Sequence, residues 1–289
     1  MDKRILLISA VLIVFAFSGC TLNQLAVRST SGILSNSFDA LMAEDDLQIA
    51  RTAIETDLKM IEGLIRTDPE NSTLLLYAAQ GFSSYSLAFA EDEDKARAIK
   101  LYKRGRNYAS RWLKHKYGVD LLSIDKLDKF EKVINKLSSE AVPGVFWLGN
   151  SWASLLLLSL DDIESIASLP RVEMLMKFVL DNDETYYYGG THLFFGAYFG
   201  GRPRMLGGDP EKARFHIEKQ REMTEGKFLL GDFFMVKYVA LPALDEKSSR
   251  KILHHIINFD LESAPDIRLI NSITQEKAKH LLDNIEDFL

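Results

Sequence analysis

The sequence has little cysteine and proline, and its acidic residues outnumber its basic ones; each of these features argues against a class of protein. A single cysteine among 289 residues excludes an intramolecular disulfide and a zinc site built from several cysteines. Only seven prolines are present, without a collagen period, which excludes collagen-like and proline-rich architectures. The net charge of −6 disfavours non-specific binding to nucleic acid. The hydrophobic share of 47% is typical of a globular chain.

The N-terminus carries a targeting pattern. Lys3 and Arg4 precede an apolar run from Ile5 to Phe17, which is short for a membrane span and fits the apolar core of a signal peptide. Phe17-Ser18-Gly19-Cys20 follows and resembles the lipobox of bacterial lipoproteins. This pattern predicts a signal peptide over residues 1–19 and lipidation of Cys20. An ordinary signal peptide or membrane anchor with an incidental cysteine is the alternative.

The residues after Cys20 suggest where the anchored chain resides. Thr21 stands where aspartate would retain a lipoprotein in the inner membrane, so resemblance to known sorting rules favours the outer membrane, facing the periplasm. Residues 20–37 are interpreted as a lipidated tether with room for a short helix. Residues 38–289 are interpreted as one all-helical domain.

Apolar residues recur at spacings of three, four and seven along this domain, while strand-like alternation is rare. The pattern predicts an all-α fold of successive helices joined by short connections, so that neighbours pack antiparallel. A break at Asp68-Pro69-Glu70, where Asp68 is a good N-cap and Pro69 a good first helical residue, is expected to precede a second helix over Ser72–Ala90. A later helix is expected over Gly190–Phe199.

One window matches the tetratricopeptide repeat, a pair of helices that stacks into superhelices. Its first helix has Phe82, Tyr85-Ser86 and Phe89 at the expected spacing, and its second has Ala98, Tyr102 and Gly105. The small residues allow the two helices to approach closely. Weaker echoes follow at about 40-residue intervals, which is typical of helical-repeat proteins. The sequence therefore predicts a tetratricopeptide-like superhelix of antiparallel helix pairs.

Five segments carry a resemblance to a known family. They are Tyr187–Gly190, Phe195–Tyr198, Arg202-Pro203, Leu206–Ala213 and Gly226–Leu230. Together they resemble the T component of TRAP-transporter-associated periplasmic systems, the TatT family. The lipobox and the helix pairs agree with this resemblance.

The resemblance implies a periplasmic lipoprotein that is not an enzyme. It also implies a pore through each subunit, assembly as a homotrimer, and docking of a TRAP-type periplasmic solute-binding protein with transfer of a small apolar ligand. The alternative is a structural tetratricopeptide scaffold in envelope assembly, without a ligand path. An enzyme acting on envelope polymers is a third, weaker candidate.

Two groups of residues are candidates for ligand or partner binding. One is aromatic and comprises Tyr186, Tyr187, Tyr188, His192 and Tyr198; core packing is the alternative for these rings. The other is Arg202 and Arg204, in a glycine-rich loop that could hold an anion. The alternative reading of this loop is purely structural, with Gly200 ending one helix and Asp209-Pro210 starting the next.

No pattern in the sequence indicates catalysis, a cofactor or a metal. The motifs of zinc proteases, serine hydrolases and phosphate-binding loops are missing from the sequence. His254 and His255 are adjacent and diverge on a helix, so they do not form a metal-binding pair. His216 is interpreted as a surface residue of its helix.

Overall fold

The computed structural model describes residues 22–159 and 167–288. The predicted signal peptide over residues 1–19 and the predicted lipid-bearing Cys20 lie outside these ranges. Within the ranges the chain is helical and contains no strand, which confirms the all-α prediction. Among the described helices, none is both long enough and apolar enough to be a membrane span.

Thirteen α-helices account for most of the described residues. They are α1 (Leu22–Ser29), α2 (Ser31–Met42), α3 (Leu47–Thr67), α4 (Ser72–Tyr85), α5 (Lys95–Tyr117), α6 (Leu127–Ile134), α7 (Val142–Leu157), α8 (Leu169–Asn182), α9 (Tyr186–Gly200), α10 (Pro210–Met223), α11 (Leu230–Met235), α12 (Glu246–Ile257) and α13 (Arg268–Asp283). Two of them continue into a π-helical turn: α4 into Ser86–Ala90 and α11 into Val236–Ala240. Most helices contact the next one along the chain.

Side-chain caps fix where several helices begin. Asp209 accepts hydrogen bonds from the backbone N–H groups of Glu211 and Lys212, at 3.2 and 3.1 Å, so the predicted start of α10 is confirmed. The predicted start of the second helix at Ser72 is confirmed, but its cap is Asn71, so the capping role predicted for Asp68 was wrong. Asp68 is buried and accepts hydrogen bonds from Arg28 at 2.8 and 3.3 Å, so its carboxylate serves a tertiary contact.

The Arg28–Asp68 pair attaches α1 to the helices that follow. Val27, its neighbour in α1, is also buried. The part of the predicted tether that the structure describes, residues 22–37, is therefore helical and packed. At the other end of the chain, α13 contacts α2 and α3, so the last helix lies against the first ones.

Glycines permit the closest helix crossings. A Cβ on Gly105 of α5 would meet Ser83 Oγ, and would lie 3.0 Å from the Ala79 carbonyl oxygen and 3.1 Å from Ser151 Oγ. The three helices α4, α5 and α7 thus meet at this point. Ser83 lies opposite Gly105, and the Ser86 hydroxyl donates a hydrogen bond to the Ala98 carbonyl. Later residues of the α4 segment thus contact earlier residues of α5, so the two helices run antiparallel.

The pair α9 and α10 follows the same rule. A Cβ on Gly189 would contact Met223 and Gln220, whereas one on Gly196 would contact Ile217, so these helices are also antiparallel. The predicted role of small residues at helix crossings agrees with these contacts. The superhelical arrangement of the pairs remains a prediction.

We expect Gly105→Ala to lower the free energy of unfolding by about 1–2 kcal/mol, because a methyl group at this crossing has no free space. Gly63→Ala is the matched control, since Gly63 is exposed within α3 and a Cβ there meets nothing within 4 Å. The control should raise stability by roughly 0.5–1 kcal/mol through helix propensity. Urea unfolding measures both, and equal effects of the two variants would contradict the close crossing.

Candidate functional site

A cavity of about 1130 Å³ lies between the helices. Its walls come from α2, α3, α4, α7, α9, α11 and α13, and from the loop after α9. Most lining side chains are apolar, including Leu58, Phe146, Leu193 and Ile273. The volume exceeds the range of about 300–1,000 Å³ that is common for small-molecule sites.

Three of the seven predicted site residues line this cavity, and the other four lie elsewhere. The lining ones are Tyr187, Arg202 and Arg204. The others contact neighbouring side chains outside the cavity wall; they are Tyr186, Tyr188, His192 and Tyr198.

The tyrosine cluster is held by an unusual backbone turn. Tyr187, Tyr188 and Gly189 have φ values of 49°, 58° and 69°, so three consecutive residues are left-handed at the start of α9. For a large side chain this conformation is strained, and such strain is concentrated at functional sites. Gln220 supports the turn by donating a hydrogen bond to the Tyr188 carbonyl at 3.1 Å. The regular part of α9 begins after this turn, close to the predicted start at Gly190.

The turn directs the three rings to different surroundings. Tyr187 packs edge-on against Trp147 of α7 at 4.7 Å between ring centroids and forms part of the cavity wall. Tyr186 packs against Phe146, and burial raises the pKa of its hydroxyl to about 12. Tyr188 stacks on Phe228 at 4.8 Å and remains 36% exposed. The rings form a continuous contact from α7 to the start of α11.

Arg202 is bound within its own loop. Its Nε donates to the Tyr198 carbonyl at 2.7 Å, a second nitrogen donates to the Gly207 carbonyl at 3.2 Å, and its guanidinium covers the Tyr198 ring. These contacts match the structural reading of the loop. Arg204 is exposed at the cavity edge and is the loop cation that remains accessible to a ligand.

Tyr198 is held by α8 as well as by Arg202. Its hydroxyl donates to Glu173 at 2.6 Å, and burial together with this carboxylate raises the pKa of Tyr198 to about 12. The hydroxyl is therefore a neutral donor that connects α9 to α8.

His192, which is buried, and His216, which is half-buried, form a pair between α9 and α10. Their Nδ1 atoms lie 2.9 Å apart, and His192 Nε2 lies 3.3 Å from Glu184. All three groups are satisfied when His216 donates to His192 and His192 donates to Glu184, with both rings neutral. His216 also stacks on Phe195 and Phe199, so its interpretation as a plain surface residue was wrong. In the described part of the chain, no three potential ligands are grouped closely enough to hold a metal ion.

Sequence reasoning missed the polar side chains of the cavity wall. Asp57 of α3, Gln80 and Ser84 of α4, and Asn150 of α7 all line it. Gln80 and Asn150 interrupt strongly apolar stretches of sequence, which was the available signal. Their convergence could not be read from the sequence, because it depends on how three helices cross.

Comparison with known proteins gives two matches. The model of the TRAP transporter T-component family matches residues 43–289. The chain is also similar to a protein of Treponema pallidum (strain Nichols) described only as uncharacterized. The two are 22% identical over 302 residues, covering 94% of this chain and 93% of the relative.

We expect His216 to make stability depend on pH. Burial, and then the neighbouring His192, lowers the pKa of His216 from 6.5 to about 4. The unfolded chain therefore binds a proton at pH values where the folded chain does not, and stability falls as the pH drops from 6.5 towards 4. His216→Gln should remove part of this decrease, about 1–2 kcal/mol once solvent screening of the half-buried ring is allowed for, as measured by urea unfolding across that pH range.

His254→Gln is the matched control, since His254 is exposed on α12. It should leave the pH dependence of stability unchanged. Parallel stability curves for the wild type and His216→Gln would contradict the burial of a neutral histidine pair.

Proposed function

The chain belongs to the TRAP transporter T-component family, and on that premise we propose that it is a lipid-anchored periplasmic protein that docks a solute-binding receptor. In this role it takes up a small apolar ligand and passes it along a subunit pore. The role involves binding and transfer, without covalent chemistry.

The cavity is the observation that carries the ligand part of this proposal. A volume of about 1130 Å³ is large enough for a molecule of lipid size, and its wall is mainly aliphatic and aromatic. Burial of apolar surface in such a wall is the main driving force for binding. A scaffold without a ligand path would be expected to have a filled interior, so the cavity favours the ligand-binding role over a scaffold in envelope assembly.

Other parts of the proposal rest on the sequence and on membership of the family. The lipobox at Cys20 supports an anchor, and Thr21 supports the outer membrane. The helix pairs with glycine crossings support a tetratricopeptide-like arrangement, in which stacked pairs offer an extended docking surface. Assembly as a homotrimer belongs to the same proposal.

We expect Ala153→Trp to reduce binding of an apolar probe, because Ala153 of α7 lines the cavity and an indole would occupy its volume. N-phenyl-naphthylamine, whose fluorescence increases in apolar surroundings, serves as the probe with the chain from residue 21 onwards. This chain contains every described residue. Ala96→Trp, on the exposed face of α5, is the matched control and should bind the dye as the wild type does. Equal dye binding by both variants would place the binding site outside the cavity.

We expect Cys20→Ser to abolish incorporation of labelled palmitate and to release the full-length protein from the membrane fraction. The thiol is the proposed site of lipidation, and stable anchoring requires several acyl chains. Ser18→Ala keeps a small residue in the lipobox and should be processed normally. Unchanged labelling of Cys20→Ser would refute the lipoprotein assignment.

Docking has a separate test. The chain from residue 21 onwards is immobilised and exposed to a periplasmic extract under gentle conditions, and bound proteins are identified by mass spectrometry. We expect enrichment of a TRAP-type solute-binding protein over a control surface. Failure to recover any such receptor would count against docking without affecting the ligand proposal.

A further inference from the structure

The cavity contains a belt of polar side chains at one level of its mainly apolar wall. In the antiparallel pair α3 and α4, Leu58 lies opposite Gly81. A Cβ added to Gly81 would lie 2.8 Å from the Cδ2 atom of Leu58. Tyr85 of α4 donates a hydrogen bond to Glu55 of α3. These two contacts set the register and place Asp57 level with the stretch from Gln80 to Ser84.

A second contact brings α7 to the same level. Ser83 of α4 and Ser151 of α7 are hydrogen-bonded at 2.6 Å between their hydroxyl oxygens. Asn150, the neighbour of Ser151, faces the cavity, as do Gln80 and Ser84 on either side of Ser83. The polar belt is therefore formed by three helices whose crossing is fixed.

Tyr187 completes the belt from α9. Burial raises the pKa of its hydroxyl, and the nearby side chains of Ser84 and Gln80 partly oppose this rise. The left-handed turn described above holds this ring in the wall. The belt thus contains a phenol, two amides and a carboxyl, and we define it as Asp57, Gln80, Asn150 and Tyr187.

Asp57 gives the belt its chemical preference. It is half-buried and lines the cavity, and it forms no ion pair with the basic side chains of residues 22–159 and 167–288. Of the cavity-lining cations, Lys277 pairs with Asp92, and Arg202 bonds the carbonyls of Tyr198 and Gly207. Arg204 and Lys237 are exposed, and neither forms an ion pair with Asp57. An acidic group in an apolar wall without a cationic partner favours a ligand that supplies a donor or a positive charge.

We propose that the polar belt binds the head group of an amphipathic ligand, and that this head group donates hydrogen bonds and carries no negative charge. Asp57 accepts from the head group, while Gln80, Asn150 and Tyr187 bond its remaining polar atoms. The apolar chain of the ligand lies along the aliphatic and aromatic walls. This inference rests on the proposed function, because it assigns a ligand class to the same cavity.

The test compares three probes that share a dodecyl chain and differ only in the head group: dodecylamine, dodecanol and dodecanoate. Each displaces N-phenyl-naphthylamine from the chain beginning at residue 21, at pH 7 and below the concentration at which micelles form. We expect dodecylamine to displace the dye at a concentration about tenfold lower than dodecanoate, with dodecanol between them.

Two variants of belt residues and one control variant outside the cavity assign this order to the belt. Asp57→Asn keeps the shape of the side chain and removes its charge, so it should bring the amine and the carboxylate to within about twofold of each other. Asp45→Asn makes the same charge change on an exposed residue outside the cavity and should preserve the wild-type order. Asn150→Leu should weaken dodecanol about tenfold while leaving dye binding intact.

The outcomes separate this inference from the proposed function. If the wild type fails to bind the dye, the cavity is not a ligand site, and the ligand part of the proposed function falls together with this inference. If the dye binds but the three probes displace it equally, or if Asp57→Asn leaves their order unchanged, the belt does not select the head group and only this inference is overturned.

Discussion

The close crossing of α4, α5 and α7 is the constraint on which the cavity wall depends. Gly105 admits Ser83 and the Ala79 carbonyl into the space that a side chain would fill, and Ser83 bonds Ser151 at 2.6 Å. Backbones held this closely cannot slide past one another without breaking buried hydrogen bonds. The face of α4 that carries Gln80 and Ser84 is therefore fixed relative to the face of α7 that carries Asn150, and the interior between them keeps its shape.

The turn at Tyr187–Gly189 adds a second constraint of a different kind. Left-handed conformations of tyrosine cost of order 1–3 kcal/mol each and persist only where surrounding contacts compensate. Here the compensation comes from Trp147, Phe146 and Phe228, whose rings contact the tyrosines, and from Gln220, which binds the Tyr188 carbonyl. The strained turn thus depends on contacts with α7, with α10 and with the segment before α11, and it holds the Tyr187 ring in the cavity wall.

Local sequence rules predicted the features that depend on neighbouring residues. Asp209 and Pro210 start α10 as expected, and Gly105 lies at a helix crossing because a small residue was required there. Asp68 looked like a cap by the same rules, but a partner 40 residues away in α1 engages its carboxylate. Likewise, the position of Asp57 in the cavity and the pairing of His192 with His216 depend on contacts between distant helices. No periodicity within one segment specifies such contacts.

One ring of the cavity wall also gives the protein an optical property. Of the three tryptophans, all within the described residues, Trp147 alone lines the cavity, whereas Trp112 and Trp152 are buried outside its wall. Indole emission is sensitive to the polarity of its surroundings, so replacement of water by an apolar molecule next to Trp147 will change the intrinsic fluorescence of the unlabelled chain. The occupancy of the cavity can therefore be followed without a dye, in real time, through a residue that the protein already contains.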